Sequence, residues 1–173
     1  MKTRMLKLED EAVGTLDRLV AETEAGMRAA VAEDADVARN LAAVLSAPGI
    51  GLLTAVAIIV LTRNFTRFDY SPRRFASFNG LAPFACQSGT SLNGRPHVSR
   101  IAHPLLKPML SMGAQSAIRH DPKMREYYLR LLKAGKEKGV ALNNVKNKMI
   151  HIAFALARKG ETYRPGYGEG ESR

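Results

Sequence analysis

The sequence predicts a mainly α-helical protein, in which a helical domain with a helix-hairpin-helix element follows a long amphipathic, coiled-coil-like helix. Three observations support this prediction. Apolar residues recur at helical spacing along most of the chain. Ser71-Pro72 and Asp121-Pro122 each place a capping residue before a proline suited to the first helical turn. Two apolar helical stretches flank Pro48-Gly49-Ile50-Gly51.

The first 40 residues are predicted to form a separate helical arm. Apolar side chains between Leu6 and Val31 fall on a heptad seam, with Glu9 and Thr23 as polar breaks and charges on the other faces. This pattern is typical of a coiled coil, which favours a homodimer through the arm. Packing of the helix on its own domain is the alternative. Asp36 is the predicted N-cap of a second helix.

Residues 41–164 are predicted to form the helical domain, and the charged, glycine-rich residues 165–173 are predicted to be a disordered tail. In the helix-hairpin-helix element, Gly49 and Gly51 can adopt backbone angles that other residues avoid. The N–H groups that begin the following helix could then contact a phosphate. The alternative interpretation is a tight turn between two core helices without nucleic acid nearby.

The net charge of +10 is distributed unevenly along the chain. Residues 1–40 hold six Lys and Arg against nine Asp and Glu, a net of −3, whereas residues 41–173 hold twenty against seven, a net of +13. A segment this basic indicates a polyanionic partner, because neutralised phosphates release condensed counterions. DNA is the predicted partner.

Other features argue against a membrane or secreted protein. The longest apolar run, Leu52–Leu61, is too short to span a bilayer, so no membrane partner is expected. The charged start Met1–Arg4 does not resemble a signal peptide. A single cysteine, Cys86, fits a reducing cytoplasm and, with four scattered histidines, predicts no metal site.

Ser88 is the candidate catalytic residue, because it lies among small residues in a polar, glycine-punctuated loop within the basic segment. Arg95 and Arg100 could offset charge on a reacting phosphate. A serine needs a base or a metal for activation. The candidate bases are His97, His103, His120 and His151. Ser91 is the nearest competing nucleophile, and a hydroxyl that merely stabilises the turn is the alternative role for Ser88.

A run of cations downstream predicts a nucleic-acid surface, with a merely solvated helix face as the alternative. The residues predicted to contact nucleic acid there are Arg119, Lys123, Lys136 and Lys148. Phe75 and Phe78 share helical spacing with other apolar positions, so both are predicted to be core residues rather than base-stacking ones.

Several short motifs together resemble the C-terminal catalytic half of a large bacterial insertion-sequence transposase family. In that family a RuvC-like DEDD domain accompanies a serine-bearing transposase domain, and a bridge RNA guides the enzyme. The matching motifs, specific in their order and spacing, are Ala47–Gly51, Phe75–Pro83, Gln87–Gly89, Gly94–Pro96, Ser116–Pro122, Tyr127-Tyr128, Gly135-Lys136, Asn147–Ile150 and Gly160–Tyr163.

The resemblance implies a transposase or recombinase in which Ser88 attacks a DNA phosphodiester and forms a transient phosphoserine link. It also implies a guide RNA as a partner and magnesium held in a DEDD domain, which residues 1–40 could not supply. No cofactor is therefore expected in this chain, and the isolated chain is expected to be inactive. The alternative function is a non-catalytic DNA- or RNA-binding module. A purely structural coiled-coil dimer would leave the positive charge unexplained.

Overall fold

The protein, described by a computed structural model, is mainly α-helical, as predicted. The structure describes residues 2–81, 83–88, 92–98 and 104–165. The elements in chain order are α1 (Lys2–Ala32), α2 (Ala35–Leu45), α3 (Leu52–Thr62), a 3₁₀ turn (Thr66–Phe68), α4 (Pro72–Phe78), β1 (Pro83–Ser88), β2 (Leu92–Val98), α5 (Leu106–His120), α6 (Pro122–Lys133) and α7 (Lys138–Lys159). Within these ranges, no helix is long and apolar enough to cross a membrane.

The chain divides into two compact units, Met1–Ala38 and Arg39–Arg173. The first unit is dominated by α1, whose apolar seam is largely exposed. The side chains of that seam that are more than half exposed are Leu6, Val13, Leu16 and Val20. The polar break at Thr23 is satisfied locally, because its hydroxyl donates to the Leu19 carbonyl at 2.7 Å. An exposed apolar seam on a long helix is what a coiled-coil interface requires.

Asp34, and not Asp36, caps the second helix. The Asp34 carboxylate accepts hydrogen bonds from the backbone N–H groups of Asp36 at 2.9 Å and Val37 at 3.1 Å. These are N–H groups of the first turn, which lack partners within a helix. The predicted N-cap at Asp36 was therefore wrong by two residues, and Asp36 lies inside the first turn of α2.

The turn between α2 and α3 lies against α5 at a glycine-to-glycine contact. Gly49 has φ +76°, and a Cβ on it would come within 2.1 Å of the Gly113 carbonyl oxygen. A Cβ on Gly113 would in turn approach the Gly49 carbonyl oxygen at 2.2 Å. Gly51 differs, since it has open space around its Cβ position and extended backbone at the N-cap of α3. Two helices therefore flank the turn, and both its positive φ and its close packing against α5 favour glycine at position 49.

The connection from α3 to α4 is compact and has unusual backbone angles. Arg63, Asn64 and Phe65 have positive φ, as do Asp69 and Tyr70. Such angles cost free energy in non-glycine residues, and tertiary packing must offset that cost. Phe65 supplies packing, because it is fully buried and its ring meets the Phe154 ring edge-on at 4.8 Å.

Helix α7 lies at the centre of the second unit and packs against α4, α5 and α6. Its completely buried apolar side chains include Val145, Met149, Ile150 and Leu156. Phe75 on α4 joins the same core, as predicted, and its ring lies 5.3 Å from that of Phe154. Phe78 does not, because it is 41% exposed with the Arg67 guanidinium over its ring. The core prediction was therefore correct for Phe75 and wrong for Phe78.

The two predicted Ser-Pro and Asp-Pro helix starts are confirmed. The Ser71 hydroxyl accepts from the backbone N–H of Arg74 at the start of α4. The Asp121 carboxylate accepts from the backbone N–H of Met124 at 2.8 Å at the start of α6. In each case the following proline occupies a first-turn position where its missing N–H costs no helical hydrogen bond.

The region predicted as an irregular loop contains an antiparallel ribbon, β1 and β2. Pairing is irregular in the middle of the ribbon, where β2 places Arg95 and Pro96 opposite the single residue Ala85. Proline has no N–H for a ladder hydrogen bond, which favours a bulge at this point. The sequence signal was obscured because glycine and proline interrupt the strands.

The glycine contact predicts a large difference between two neighbouring substitutions. Gly49→Ala should lower the free energy of unfolding by about 3 kcal/mol or more, because its Cβ would overlap the backbone of α5 and its φ is unfavourable for alanine. The control, Gly51→Ala, has room for a methyl group and should cost less than about 1 kcal/mol. Urea denaturation would measure both, and equal losses would contradict the proposed packing role.

Candidate nucleic-acid interface

The main chain of Ser88 lies at one end of the β ribbon. Ser88 is the last residue of β1 and pairs with Leu92, the first residue of β2. The other end of the ribbon begins just after Leu81, which is fully buried and whose carbonyl accepts a 2.8 Å hydrogen bond from the side-chain amide of Asn143 on α7. The helical core therefore anchors the chain at the root of the ribbon, and Ser88 is at its far end.

Five of the residues that were predicted to act with Ser88, or to compete with it, follow it closely in the sequence. Arg95 and His97 belong to β2 and are placed through their backbone only. Arg100, Ser91 and His103 lie outside the described residues. The role predicted for Arg95 and Arg100 in offsetting charge on a reacting phosphate therefore stays a prediction.

The two remaining candidate bases are on separate helices. His120 is exposed at the end of α5, and its Nδ1 lies 3.0 Å from the Ser116 carbonyl oxygen. His151 is half-buried on α7. Burial lowers the pKa of His151, and the positive charge of Arg73 lowers it further. Both effects favour the neutral imidazole, the form that can accept a proton.

A basic groove of about 550 Å³ is formed by α5, α6 and the start of α7. We call it the α5–α6–α7 groove, and it is lined by Gln115, Ile118, Arg119, Arg125, Tyr128, Lys138, Gly139 and Leu142. Three of these eight residues are cations and none is acidic. The groove therefore concentrates positive charge beside an aromatic and two aliphatic side chains.

Arg125 has a structural role in this groove. Its guanidinium donates to the carbonyl oxygens of Ile118 at 3.1 Å and Arg119 at 2.6 Å. These carbonyls belong to the last turn of α5, where helical partners are lacking and the helix dipole is negative. Arg125 thus caps α5, whereas the side chains of Arg119 and Lys138 form no such hydrogen bond within the described ranges.

The other predicted cations lie on different parts of the surface. Lys123 is at the start of α6, 3.9 Å from the Glu126 carboxylate. Lys136 is exposed in the turn after α6. Lys148 on α7 lies 4.6 Å from the centre of the Tyr127 ring, and Arg130 covers the same ring at 5.4 Å. Among the predicted nucleic-acid residues whose side chains the structure describes, only Arg119 lines the groove.

Sequence reasoning did not single out Lys138 or Tyr128, which line the groove with Arg119. Lys138 was visible as part of the basic run, but its proximity to Arg119 depends on the return of the chain after α6. Tyr128 appeared in a motif without an assigned role. A Tyr-Tyr pair flanked by cations is the signal that could have indicated an aromatic wall.

A buried lysine occupies the contact between α5 and α7. Lys146 is 7% exposed, and its Nζ donates to the Ser111 hydroxyl at 3.2 Å. The Ser111 hydroxyl in turn donates to the Lys107 carbonyl at 2.8 Å. Burial lowers the pKa of Lys146, and the positive charge of Lys107 lowers it further. The charged lysine therefore costs folding free energy at neutral pH.

Removing this charge should stabilise the protein in a pH-dependent way. The pKa of Lys146 is lower in the folded state than its ordinary value of 10.5, so the unfolded state binds its proton more tightly. The resulting cost is full below the folded-state pKa and disappears as the pH rises through 10.5. Lys146→Met should therefore be more stable at pH 7 by roughly 1 kcal/mol, with the gain shrinking as pH rises.

Denaturation of both proteins between pH 7 and 10 would measure this effect. The exposed Lys133 on α6 provides the control, since Lys133→Met removes the same charge from water-accessible surface. The assigned desolvation cost would be contradicted if Lys146→Met lowered the free energy of unfolding by the same amount at every pH.

Comparison with known proteins gives a consistent assignment. Residues 41–129 match the family described as Transposase IS116/IS110/IS902. The chain is 35% identical over 118 residues, 68% of its length, to the insertion element IS110 uncharacterized 43.6 kDa protein of Streptomyces coelicolor. It is 28% identical over 127 residues, 73% of its length, to the insertion element IS900 uncharacterized 42 kDa protein of Mycobacterium paratuberculosis. The chain spans 29% and 32% of these two relatives, respectively.

The family match covers just over half of the chain and includes Ser88, the Gly49–Gly51 turn, Arg119 and Tyr128. It extends through helices α3 to α5 and the ribbon, and it contains the matching motifs from Ala47–Gly51 to Tyr127-Tyr128. The chain belongs to the IS116/IS110/IS902 family of transposases.

Proposed function

We propose that this chain is the portion of a transposase that binds DNA and carries the attacking serine, Ser88. The observation that supports this most is the family match over residues 41–129, which includes Ser88. The net charge of +13 on residues 41–173 and the acid-free α5–α6–α7 groove agree with a nucleic-acid partner.

In the proposed reaction, the Ser88 Oγ attacks the phosphorus of a DNA phosphodiester. A bond between Oγ and phosphorus forms, and the bond between phosphorus and one deoxyribose oxygen breaks. The serine proton is transferred, in net terms, to that leaving oxygen. Attack by a hydroxyl of the exchanged strand then reverses these changes, restoring the serine and a phosphodiester.

Other residues of this chain are proposed to hold the nucleic acid while this reaction takes place. The N–H groups at the start of α3 can contact a phosphate, because the space around the Cβ position of the neighbouring Gly51 is empty. At Gly49, in contrast, α5 fills the corresponding space. The cations proposed to contact backbone phosphates are Arg95, Arg100, Arg119, Lys123, Lys136 and Lys148. Contacts of this kind position the nucleic acid without reading its sequence.

Two further partners follow from the family resemblance: a guide RNA and a DEDD domain with magnesium. Within the described ranges, no group of three or more His, Cys, Asp or Glu residues could hold a metal ion. We propose, from the family resemblance alone, that the magnesium is held by the DEDD domain. The group that activates Ser88 is left open among the candidate histidines and that domain.

The experiment that tests the catalytic role is strand transfer with Ser88→Ala, in the presence of the DEDD domain and the guide RNA. Activity should fall to background, while DNA affinity should change less than about twofold. The reason is that the hydroxyl acts on the phosphorus in the transition state and adds little ground-state binding. Gel-shift and strand-transfer assays on the same preparations would measure both quantities.

Ser91→Ala is the matched control, three residues away, and should keep its activity. The alternative function, a non-catalytic DNA- or RNA-binding module, predicts instead that Ser88→Ala leaves every measurable activity unchanged. If Ser91→Ala is the inactive variant, the nucleophile has been assigned to the wrong serine.

We also propose that the protein forms a homodimer through α1, because its exposed apolar seam would be buried in a coiled coil. Leu16→Glu combined with Val20→Glu should place charges in the seam and raise the dimer dissociation constant at least tenfold. Sedimentation equilibrium would measure it. The control pair Ala21→Glu and Ala25→Glu adds the same charge on the opposite face of α1 and should have little effect. A wild-type chain that stays monomeric would refute the dimer.

A further inference from the structure

The α5–α6–α7 groove has a chemical character that duplex binding does not require. Its lining combines the cations Arg119 and Lys138 with the apolar surfaces of Ile118, Tyr128 and Leu142. A DNA duplex presents phosphates and sugars to a concave site, and its base faces are stacked inside. Apolar groove walls would gain little from such a partner, whereas an unstacked base offers them a flat, weakly hydrated face.

Tyr128 is the aromatic side chain of the groove whose ring is available. Its neighbour Tyr127 has two cations over its ring, from Arg130 and Lys148. In the part of the chain that the structure describes, Tyr128 has neither a hydrogen bond nor a ring contact, although it is partly buried in the wall of the groove. Helix α6 therefore supplies one tyrosine to intramolecular cation–π contacts and one to the groove.

The three cations of the groove also divide into one that is held by intramolecular hydrogen bonds and two that are exposed. Arg125 is held by the carbonyls of α5, so it contributes a fixed positive charge. Arg119 and Lys138, both exposed, come from the end of α5 and the start of α7. Because no acidic side chain is in the lining, a phosphate entering between them would meet positive charge and no negative charge there. The volume of about 550 Å³ lies within the range of sites that hold one small ligand or nucleotide.

We propose that the α5–α6–α7 groove binds a single strand of nucleic acid, with a backbone phosphate held by Arg119 and Lys138 and a base stacked on Tyr128. This inference rests on the proposed nucleic-acid function and specifies the form of its ligand. Unstacked nucleotides occur in single-stranded RNA and in melted DNA, and both present the same phosphate and base chemistry.

The test uses the full chain and four fluorescein-labelled probes: a 12-nucleotide oligo-dT, the matching oligo-U, a 12-base-pair mixed-sequence DNA duplex and one strand of that duplex. Arg119→Gln combined with Lys138→Gln should weaken single-strand binding at least tenfold in 0.1 M salt. It should also reduce the slope of log affinity against log salt by about 0.7, for the one phosphate that the two cations neutralise. Circular dichroism would confirm that the variants are folded.

The matched control is Lys133→Gln combined with Arg158→Gln, which removes one lysine and one arginine from exposed positions outside the groove. It should weaken single-strand binding less than threefold. Tyr128→Leu should weaken binding of single strands by about fivefold or more through lost stacking, with the salt slope and the duplex affinity unchanged.

If the Arg119→Gln and Lys138→Gln variant loses affinity for oligo-dT alone or for oligo-U alone, the result would support the groove and identify its strand as DNA or RNA. A loss of affinity for both probes would show that the groove binds either strand. Equal weakening by the control pair would overturn the proposal in favour of diffuse attraction. The proposal would also be overturned, in favour of a duplex site, if Tyr128→Leu left single-strand affinity unchanged. The same conclusion would follow if Arg119→Gln combined with Lys138→Gln weakened duplex binding more than single-strand binding. Neither result depends on Ser88, because Ser88→Ala is judged by strand transfer and the groove by binding.

Discussion

The burial of α7 is the constraint on which the rest of the second unit depends. Helices α4, α5 and α6 each pack on this 22-residue helix, and most of its apolar side chains are buried, with Val140 near its start as an exposed exception. Such burial contributes most of the favourable free energy of folding in a domain of this size. Because α7 is fixed by this packing, the polar residues along it are fixed as well.

Residues along α7 determine the position of much of the candidate interface. At its start, Lys138 and Leu142 form one side of the α5–α6–α7 groove. One residue further on, Asn143 holds the carbonyl of Leu81 and so anchors the chain from which the Ser88 ribbon extends. Beyond it, Lys148 covers the ring of Tyr127. The groove and the ribbon are thus linked to one rigid element, which suits the proposed role of holding a strand near Ser88.

The high positive charge of residues 41–173 has more than one use. Arg125 caps the last turn of α5, Lys148 stacks on an aromatic ring, and Lys146 is buried against Ser111. Of these, Arg125 and Lys146 stabilise or strain the fold, and counting those two as ligand contacts would overstate the interface. Arg119 and Lys138 differ, because they are exposed at the groove. The distribution shows why net charge predicts the class of partner and not the place where it binds.

Much of the helical architecture could be predicted from sequence, because it is encoded by local signals. The heptad seam predicted α1, the pairs Ser71-Pro72 and Asp121-Pro122 predicted two helix starts, and the spacing of apolar residues predicted α7. These signals depend on side chains within a few residues of one another, so no knowledge of distant contacts is needed. Motif order was also sufficient to indicate the transposase family, since family resemblance is a property of the sequence.

Tertiary structure alone decided the features that depend on residues far apart in the chain. Gly49 packs against Gly113, so its glycine is required by a contact that lies 64 residues away in sequence and that a turn pattern cannot reveal. Arg119 and Lys138 share a groove only because α6 reverses the chain between them. The ribbon was missed because its strands are interrupted by glycine and proline, and cross-strand pairing outweighs such local preferences. Local sequence determined the helices, and packing between them determined which side chains meet.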